Sequence, residues 1–101
     1  MSIKQSLISF LLEHSQMSRF EKMVLYQTSR IRMGQTMTYG ELAAKTGSPR
    51  SARAVGNALH RNPYPILIPC HRVVASNGIG GYGKGVLVKK LLLWIESVRA
   101  A

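Results

Sequence analysis

Two four-residue boxes fix where helices can begin in this chain, and with that most of what it can fold into. Ser18 is followed three residues on by Glu21, and Thr38 by Glu41. In such a box the hydroxyl accepts from the backbone of the third helical residue, and the carboxylate reaches back to the cap's own N–H. Two donors that a helix start leaves unpaired are thereby satisfied. After Ser18, Phe20, Val24 and Ile31 form an apolar stripe, which predicts a helix over 18–32 closed by Gly34. After Thr38, Leu42, Ala43 and Ala44 predict a short helix stopped by Gly47. Ser48 and Pro49 then read as an N-cap and a first helical residue, starting a helix over 49–60. Its inward side is expected to be Ala52, Val55 and Leu59, with Arg50, Arg53, Asn57 and Arg61 on other faces. Two short helices joined by a few residues that include glycine make a helix-turn-helix.

The rest of the chain fits around that pair. Ile3, Leu7, Leu11 and Leu12 predict an amphipathic helix over 3–14. Thr36 to Thr38 is loop or a brief strand. Asn62-Pro63-Tyr64-Pro65 cannot continue a helix. Gly78, Gly80, Gly81, Gly83 and Gly85 make a loop whose backbone can approach a ligand closely, or else a flexible surface turn. It matches neither a phosphate-binding loop nor a dinucleotide fingerprint. A last helix over 86–98 is expected to bury Leu87, Leu91, Trp94, Ile95 and Val98. The fold class is therefore mainly α: a winged-helix-like single domain with a helix-turn-helix and little β structure. A length of 101 residues suits one domain. Residues 1–17 would supply an N-terminal covering helix and residues 18–101 the working domain.

Charge narrows the partner. Lys and Arg number 14 against 4 Asp and Glu, for a formal charge of +10. Such an excess predicts a polyanion, with nucleic acid first and a membrane surface second, unless it serves solubility alone. A composition 46% hydrophobic and 18% charged argues against disorder. The single cysteine excludes an internal disulfide and a Cys-rich zinc site. His14, His60 and His71 are scattered, so no metal and no cofactor are expected. The apolar run Leu7 to Leu12 is short and lacks a cleavage signal. Neither a signal peptide nor a membrane span is read there, and a cytoplasmic location follows as the expectation.

That one cysteine lies in Ile68-Pro69-Cys70-His71-Arg72. A free cysteine is commonly a small buried hydrophobe. Here it has a histidine beside it, Arg72 near it, prolines and the glycine loop around it, and a carboxylate, Glu96, in the closing helix. A positive field or a paired histidine lowers a thiol's pKa and makes it a nucleophile at neutral pH. Adjacent residues point in different directions, so a bridging water would relay the proton from Cys70 to His71. Glu96 would then hold the imidazole's tautomer, as in other triads. A packed histidine and a surface carboxylate are the plainer alternatives.

The motif Pro69-Cys70-His71-Arg72-Val73 resembles the acceptor motif of the O6-alkylguanine-DNA alkyltransferases, the methylated-DNA–protein-cysteine methyltransferases. Thr38-Tyr39-Gly40, Ala52 to Gly56, Asn62-Pro63, Ile68 to Val74, Gly81-Tyr82, Lys89, Leu91-Leu92 and Glu96 follow the family's order and spacing, over roughly 18–97. The resemblance implies a set of roles. Cys70 would accept the alkyl group, His71 activate it through water, and Glu96 orient the histidine. Asn62 would tie the turn before the active-site strand. Tyr39 would turn the phosphate backbone and bond the flipped base. Arg53 would enter the stack, with Ala52 and Gly56 keeping the helix thin and Leu59 as an apolar wedge. Arg50 and Arg72 would add DNA contacts. Tyr39, Val73, Ser76, Tyr82, Gly83 and Lys89 would form the base pocket, with main-chain groups of Cys70, Val73 and Gly83 reading base edges.

The implied partner is double-stranded DNA containing O6-alkylguanine, bound from the minor-groove side by a monomer and without a membrane. The protein would be nucleoid-associated while bound. The implied reaction is a single irreversible transfer, because a thioether has no ready route back to a thiol. Leu25, Arg32-Met33 and Ser97 depart from the family's usual residues at packing or loop positions, and the family's separate N-terminal domain has no counterpart here. Three other readings compete. An alkyltransferase-like protein would bind alkylated DNA without transfer and recruit a repair-pathway protein, although Cys70 stands where those relatives carry tryptophan or alanine. A winged-helix regulator would leave the cysteine stretch without a purpose, and a cysteine hydrolase would need a groove that this sequence does not suggest.

Overall fold

The computed structural model describes residues 3–64, 66–82 and 85–100. The readings made for Pro65 and Gly83 fall outside them. The elements are α1 (Ile3–Glu13), α2 (Arg19–Ser29), β1 (Met37–Thr38), α3 (Tyr39–Lys45), α4 (Ala52–His60), a 3-10 turn (Cys70–Arg72), β2 (Val73–Val74) and α5 (Val86–Ala100). β1 and β2 pair in parallel, Met37 opposite Val73 and Thr38 opposite Val74. This is the expected mainly helical domain, with its helix-turn-helix in α3 and α4. No described helix is long and apolar enough to cross a membrane.

Both capping boxes form. Glu21 N–H donates to Ser18 Oγ at 3.1 Å and Ser18 N–H to Glu21 Oε1 at 3.1 Å. Glu41 N–H donates to Thr38 Oγ1 at 3.1 Å and Thr38 N–H to Glu41 Oε1 at 2.9 Å. α2 stops at Ser29 rather than running to 32. The Thr28 hydroxyl bonds back to Val24 O at 2.7 Å, and the chain leaves through i→i+3 bonds from Arg30 and Ile31. Such side-chain bonds and tightened turns mark a helix end.

Gly47 closes α3 with φ of 82°. Gly47 N–H reaches Ala44 O and Ser48 N–H reaches Ala43 O, both at 3.0 Å. That is a Schellman closure, and it engages Ser48 in ending α3. Ser48 therefore does not begin the next helix. A turn follows, Ser51 N–H to Ser48 O at 2.9 Å, and α4 starts at Ala52 instead of 49.

The core unites Ile8 and Leu12 of α1, Val24 and Leu25 of α2, Leu42 and Ala43 of α3, and Val55, Ala58 and Leu59 of α4, with Ile31, Ile68 and Val73. Two expected faces are turned. In α1, Ile3 is 90% exposed and Leu7 is exposed as well, while Ile8 and Leu12 point inward. Gln5 Nε2 bonds Ser29 O at 3.2 Å, which fixes that rotation against α2. Ala52 also lies outside.

The larger correction is α5. Leu87 is 80% and Trp94 64% exposed, and Leu91, Ile95 and Val98 are exposed too. Lys89 and Glu96 take the interior. Seven residues apart, they share one helix face. Their buried partners, described below, decide which way the helix faces.

Candidate active site and nucleic-acid surface

Asn62 builds the approach to Cys70. Its Nδ2 donates to Ile68 O at 2.9 Å, and its Oδ1 accepts from Tyr64 N–H at 2.9 Å. Ile68 N–H closes the same turn on Tyr64 O at 2.8 Å. Within it Ile66 adopts φ of 76°, a conformation a β-branched residue holds only when its surroundings impose it. Beyond the turn, Cys70 N–H bonds Ile68 O at 2.8 Å, Arg72 N–H bonds Pro69 O at 2.9 Å, and Val73 N–H bonds Cys70 O. The cysteine backbone is thus pinned on both of its polar groups.

Cys70 is half-buried and borders a cavity of about 340 Å³ that it shares with Tyr39, Gly56, Leu59, His60, Gly81 and Tyr82. Behind it, His71 is fully buried. Its Nε2 lies 2.9 Å from Glu96 Oε2. Its Nδ1 is buried with no hydrogen-bond partner among the described residues. With Nε2–H donating to the Glu96 carboxylate, a neutral imidazole has its acceptor lone pair on Nδ1. Tyr82 stands edge-on to this ring, centroids 6.3 Å apart.

Arg72 locks the carboxylate. Its Nε bonds Glu96 Oε1 at 2.8 Å, its Nη2 bonds Oε2 at 2.6 Å, and its Nη1 bonds Ile31 O at 2.7 Å. Burial on its own would raise the Glu96 pKa. The bonds from Arg72 and His71 outweigh it and hold the carboxyl below its ordinary value. Arg72 is therefore not a DNA contact: it is buried, and each of its nitrogens is engaged inside the protein.

Lys89 likewise lies beneath the cavity rather than in its wall. Fully buried, its Nζ donates to Val73 O at 2.5 Å and to Gly81 O at 3.0 Å. It ties α5 to β2 and to the glycine loop, and burial lowers its pKa. The Val73 N–H bonds Cys70 O and its C=O accepts from Lys89, which leaves the second lone pair of that carbonyl as the group that could still meet a base. Ser76 is exposed and, like Tyr64, lies outside the cavity lining.

Gly80 has φ of 75°, and a Cβ there would come within 2.9 Å of the Tyr39 hydroxyl. Tyr39 thus rests directly on the loop backbone, with Lys89 Nζ 5.9 Å from its ring centroid. Burial raises the pKa of Tyr39 against a smaller opposite effect from the Gly81 backbone, and burial also raises that of Tyr82. Both remain phenols at neutral pH.

Along α4, Arg53, Gly56 and His60 follow at helical spacing, one face running from solvent to the cavity mouth. Arg53, Ala52 and Arg50 are exposed. A Cβ on Gly56 would meet nothing within 4 Å, so the open space there belongs to whatever approaches the helix. Leu59, only 7% exposed, lines the cavity from inside rather than projecting as a wedge. One lining residue escaped the sequence reading: His60, detectable four residues after Gly56 on the same helix. Gly81 lines the cavity from the glycine loop.

Comparison with known proteins agrees with this geometry. Residues 19–98 match the family described as 6-O-methylguanine DNA methyltransferase, DNA binding domain. A methylated-DNA–protein-cysteine methyltransferase of Methanocaldococcus vulcanius is 48% identical over 82 residues, which are 81% of this chain and 50% of that protein. The chain spans about half the length of the curated relatives it matches. Among solved structures, Mycobacterium tuberculosis OGT in complex with DNA aligns with a TM-score of 0.81 at 40% identity, covering 83% of this chain and 52% of that one. S. pombe Atl1, in complex with damaged DNA containing O6-carboxymethylguanine, aligns with a TM-score of 0.69 at 32% identity, covering 81% of this chain and 79% of that one. The sequence match and the arrangement around Cys70 lead to one conclusion: this chain belongs to the 6-O-methylguanine DNA methyltransferase family, through that family's DNA-binding domain.

Proposed function

We propose that this chain repairs O6-alkylguanine in double-stranded DNA by moving the alkyl group, once, onto Cys70. The observation that carries the reading is the buried His71: one nitrogen is held by Glu96, the other has no partner among the described residues, and the residue before it in the chain is a cysteine that borders a cavity. A volume of about 340 Å³ lies in the usual range for small-molecule sites, about 300–1,000 Å³.

An alkyl group on O6 is inaccessible inside a duplex, so the nucleotide leaves the stack, at a cost of a few kcal/mol that is smallest for a damaged pair. α4 enters from the minor-groove side with Arg53 foremost, and the guanidinium offsets part of the lost stacking. Ala52 and Gly56 let the helix come close. Arg50, exposed just before α4, supplies a salt-sensitive phosphate contact. Tyr39, held as a phenol, donates to the base.

The Cys70 thiol passes its proton through water to His71 Nδ1, and the imidazolium is stabilised by Glu96. The thiolate's electron pair forms the S–C bond as the C–O6 bond breaks, and guanine departs with that pair as an anion, which the proton balances. The product is a thioether, so each chain acts once. In this reading residues 18–101 carry the site, α1 covers α2, the protein acts as a monomer, and it works inside the cell on the nucleoid.

A second reading has one observation in its favour: the chain covers 79% of Atl1, against 66% of a Mycobacterium tuberculosis O6-methylguanine methyltransferase and 50% of the Methanocaldococcus vulcanius protein. Recognition without transfer, with recruitment of a further repair protein, would follow from it. One experiment separates the two. Wild type and Cys70→Ala are mixed with a duplex holding one O6-methylguanine, and restored guanine and retained binding are both measured. Restoration by wild type alone, with binding by both, is expected. Binding without restoration by wild type would replace the transfer reading with the second one.

A further inference from the structure

A second cavity, of about 700 Å³, opens between α1 and the end of α2. Lys4 and Gln5 of α1, Ser29 of α2, Arg30 and Arg32 just after it, and Arg72 line it. Among the described residues no carboxylate lines it, and none of its lining residues is shared with the Cys70 cavity. Arg72 is neutralised by Glu96. Lys4, Arg30 and Arg32 make no ion pair and no side-chain hydrogen bond among the described residues, and the last two are exposed with Lys4.

Cations gathered round one concavity without a counter-charge repel one another, and a multivalent anion relieves that repulsion. Guanidinium groups suit phosphate in particular, because their paired N–H bonds match its oxygens. Gln5 and Ser29 already bond each other across the α1–α2 seam, which gives the groove a fixed polar wall.

We propose that this groove is a second phosphate-binding site, taking backbone phosphates of a DNA segment other than the one whose base enters the Cys70 cavity. The protein would then hold two DNA segments at once. The inference rests on the proposed function only for the identity of the first segment.

The test loads the full chain on a bead-bound duplex with one O6-methylguanine and then adds a fluorescent undamaged duplex. Wild type should retain the fluorescent duplex. Lys4→Glu/Arg30→Glu/Arg32→Glu should retain at least tenfold less, while staying on the beads as well as wild type does. Inorganic pyrophosphate should release the second duplex from wild type. Equal retention by the variant overturns the proposal, as does loss of the variant from the bead duplex itself. A pyrophosphate-dependent rise in melting temperature confined to wild type, without second-duplex retention, assigns the groove to free phosphates and overturns the DNA assignment. A triple glutamine variant repeats the comparison if the glutamate variant melts early. An unmodified bead duplex keeps the retention test valid if damage recognition fails.

Discussion

α2, α3 and α4 bury Val24, Leu25, Leu42, Val55 and Leu59 against one another, whereas α5 turns Lys89 and Glu96 inward and leaves Trp94 in solvent. The first region is closed by apolar area and by caps. The second is tied to the active-site turn by charge: Glu96 to His71 and Arg72, and Lys89 to two carbonyls. Apolar packing cannot decide which imidazole nitrogen carries the proton, but a bonded carboxylate can. Buried ion pairs are poor stabilisers relative to apolar packing. Their presence beside Cys70 is therefore better explained by positioning than by stability, and removing one partner should be costly because it strands the other.

Glu96→Ala gives the largest expected effect. It leaves Arg72 buried without its carboxylate and should cost about 3–5 kcal/mol in urea unfolding, with transfer lost alongside. A cost near zero would break the charge-tied description of α5. Next is a pair of truncations, one in each region. Leu42→Ala should cost about 2–5 kcal/mol, while Trp94→Ser, a larger deletion, should stay within about 0.5 kcal/mol. Equal costs would mean that α5 is packed like the other helices. Lys89→Met should fall between these, at about 1–3 kcal/mol, because the Val73 and Gly81 carbonyls lose their donor. A slower transfer rate should accompany it, since Gly81, one of the two residues it holds, lines the cavity.

The smallest signal is in pH. The folded Glu96 pKa lies below its ordinary value of 4.5, so the folded state binds fewer protons than the unfolded chain there. The stabilisation is complete above that value and is lost as pH falls through the lower folded one. Acid unfolding of wild type and Glu96→Gln should therefore converge as pH drops below about 4.5. Curves that stay parallel would show that Glu96 is not held ionised.

Local features were legible in the sequence. The two boxes and the Gly47 stop act within a few residues, so Ser18, Thr38, Glu21 and Glu41 appear where expected. The Cys70, His71 and Glu96 grouping was also readable, through the motif. The direction in which α5 faces was not, because apolar spacing reports a stripe and says nothing of buried partners elsewhere. Arg72 was misread for the same reason: its partner lies 24 residues away. Ser48 was misread because two helix ends compete for it, and the Schellman closure wins. The groove at Lys4, Arg30 and Arg32 joins residues of two elements, and no local pattern marks it.

The most direct test of the account is intact mass with peptide mapping after exposure to an excess of duplex containing O6-methylguanine. One added methyl per chain, located on Cys70 and absent from Cys70→Ala, is the predicted result. A methyl on any other residue, transfer beyond one equivalent, or an unmodified chain that holds the damaged duplex would contradict it.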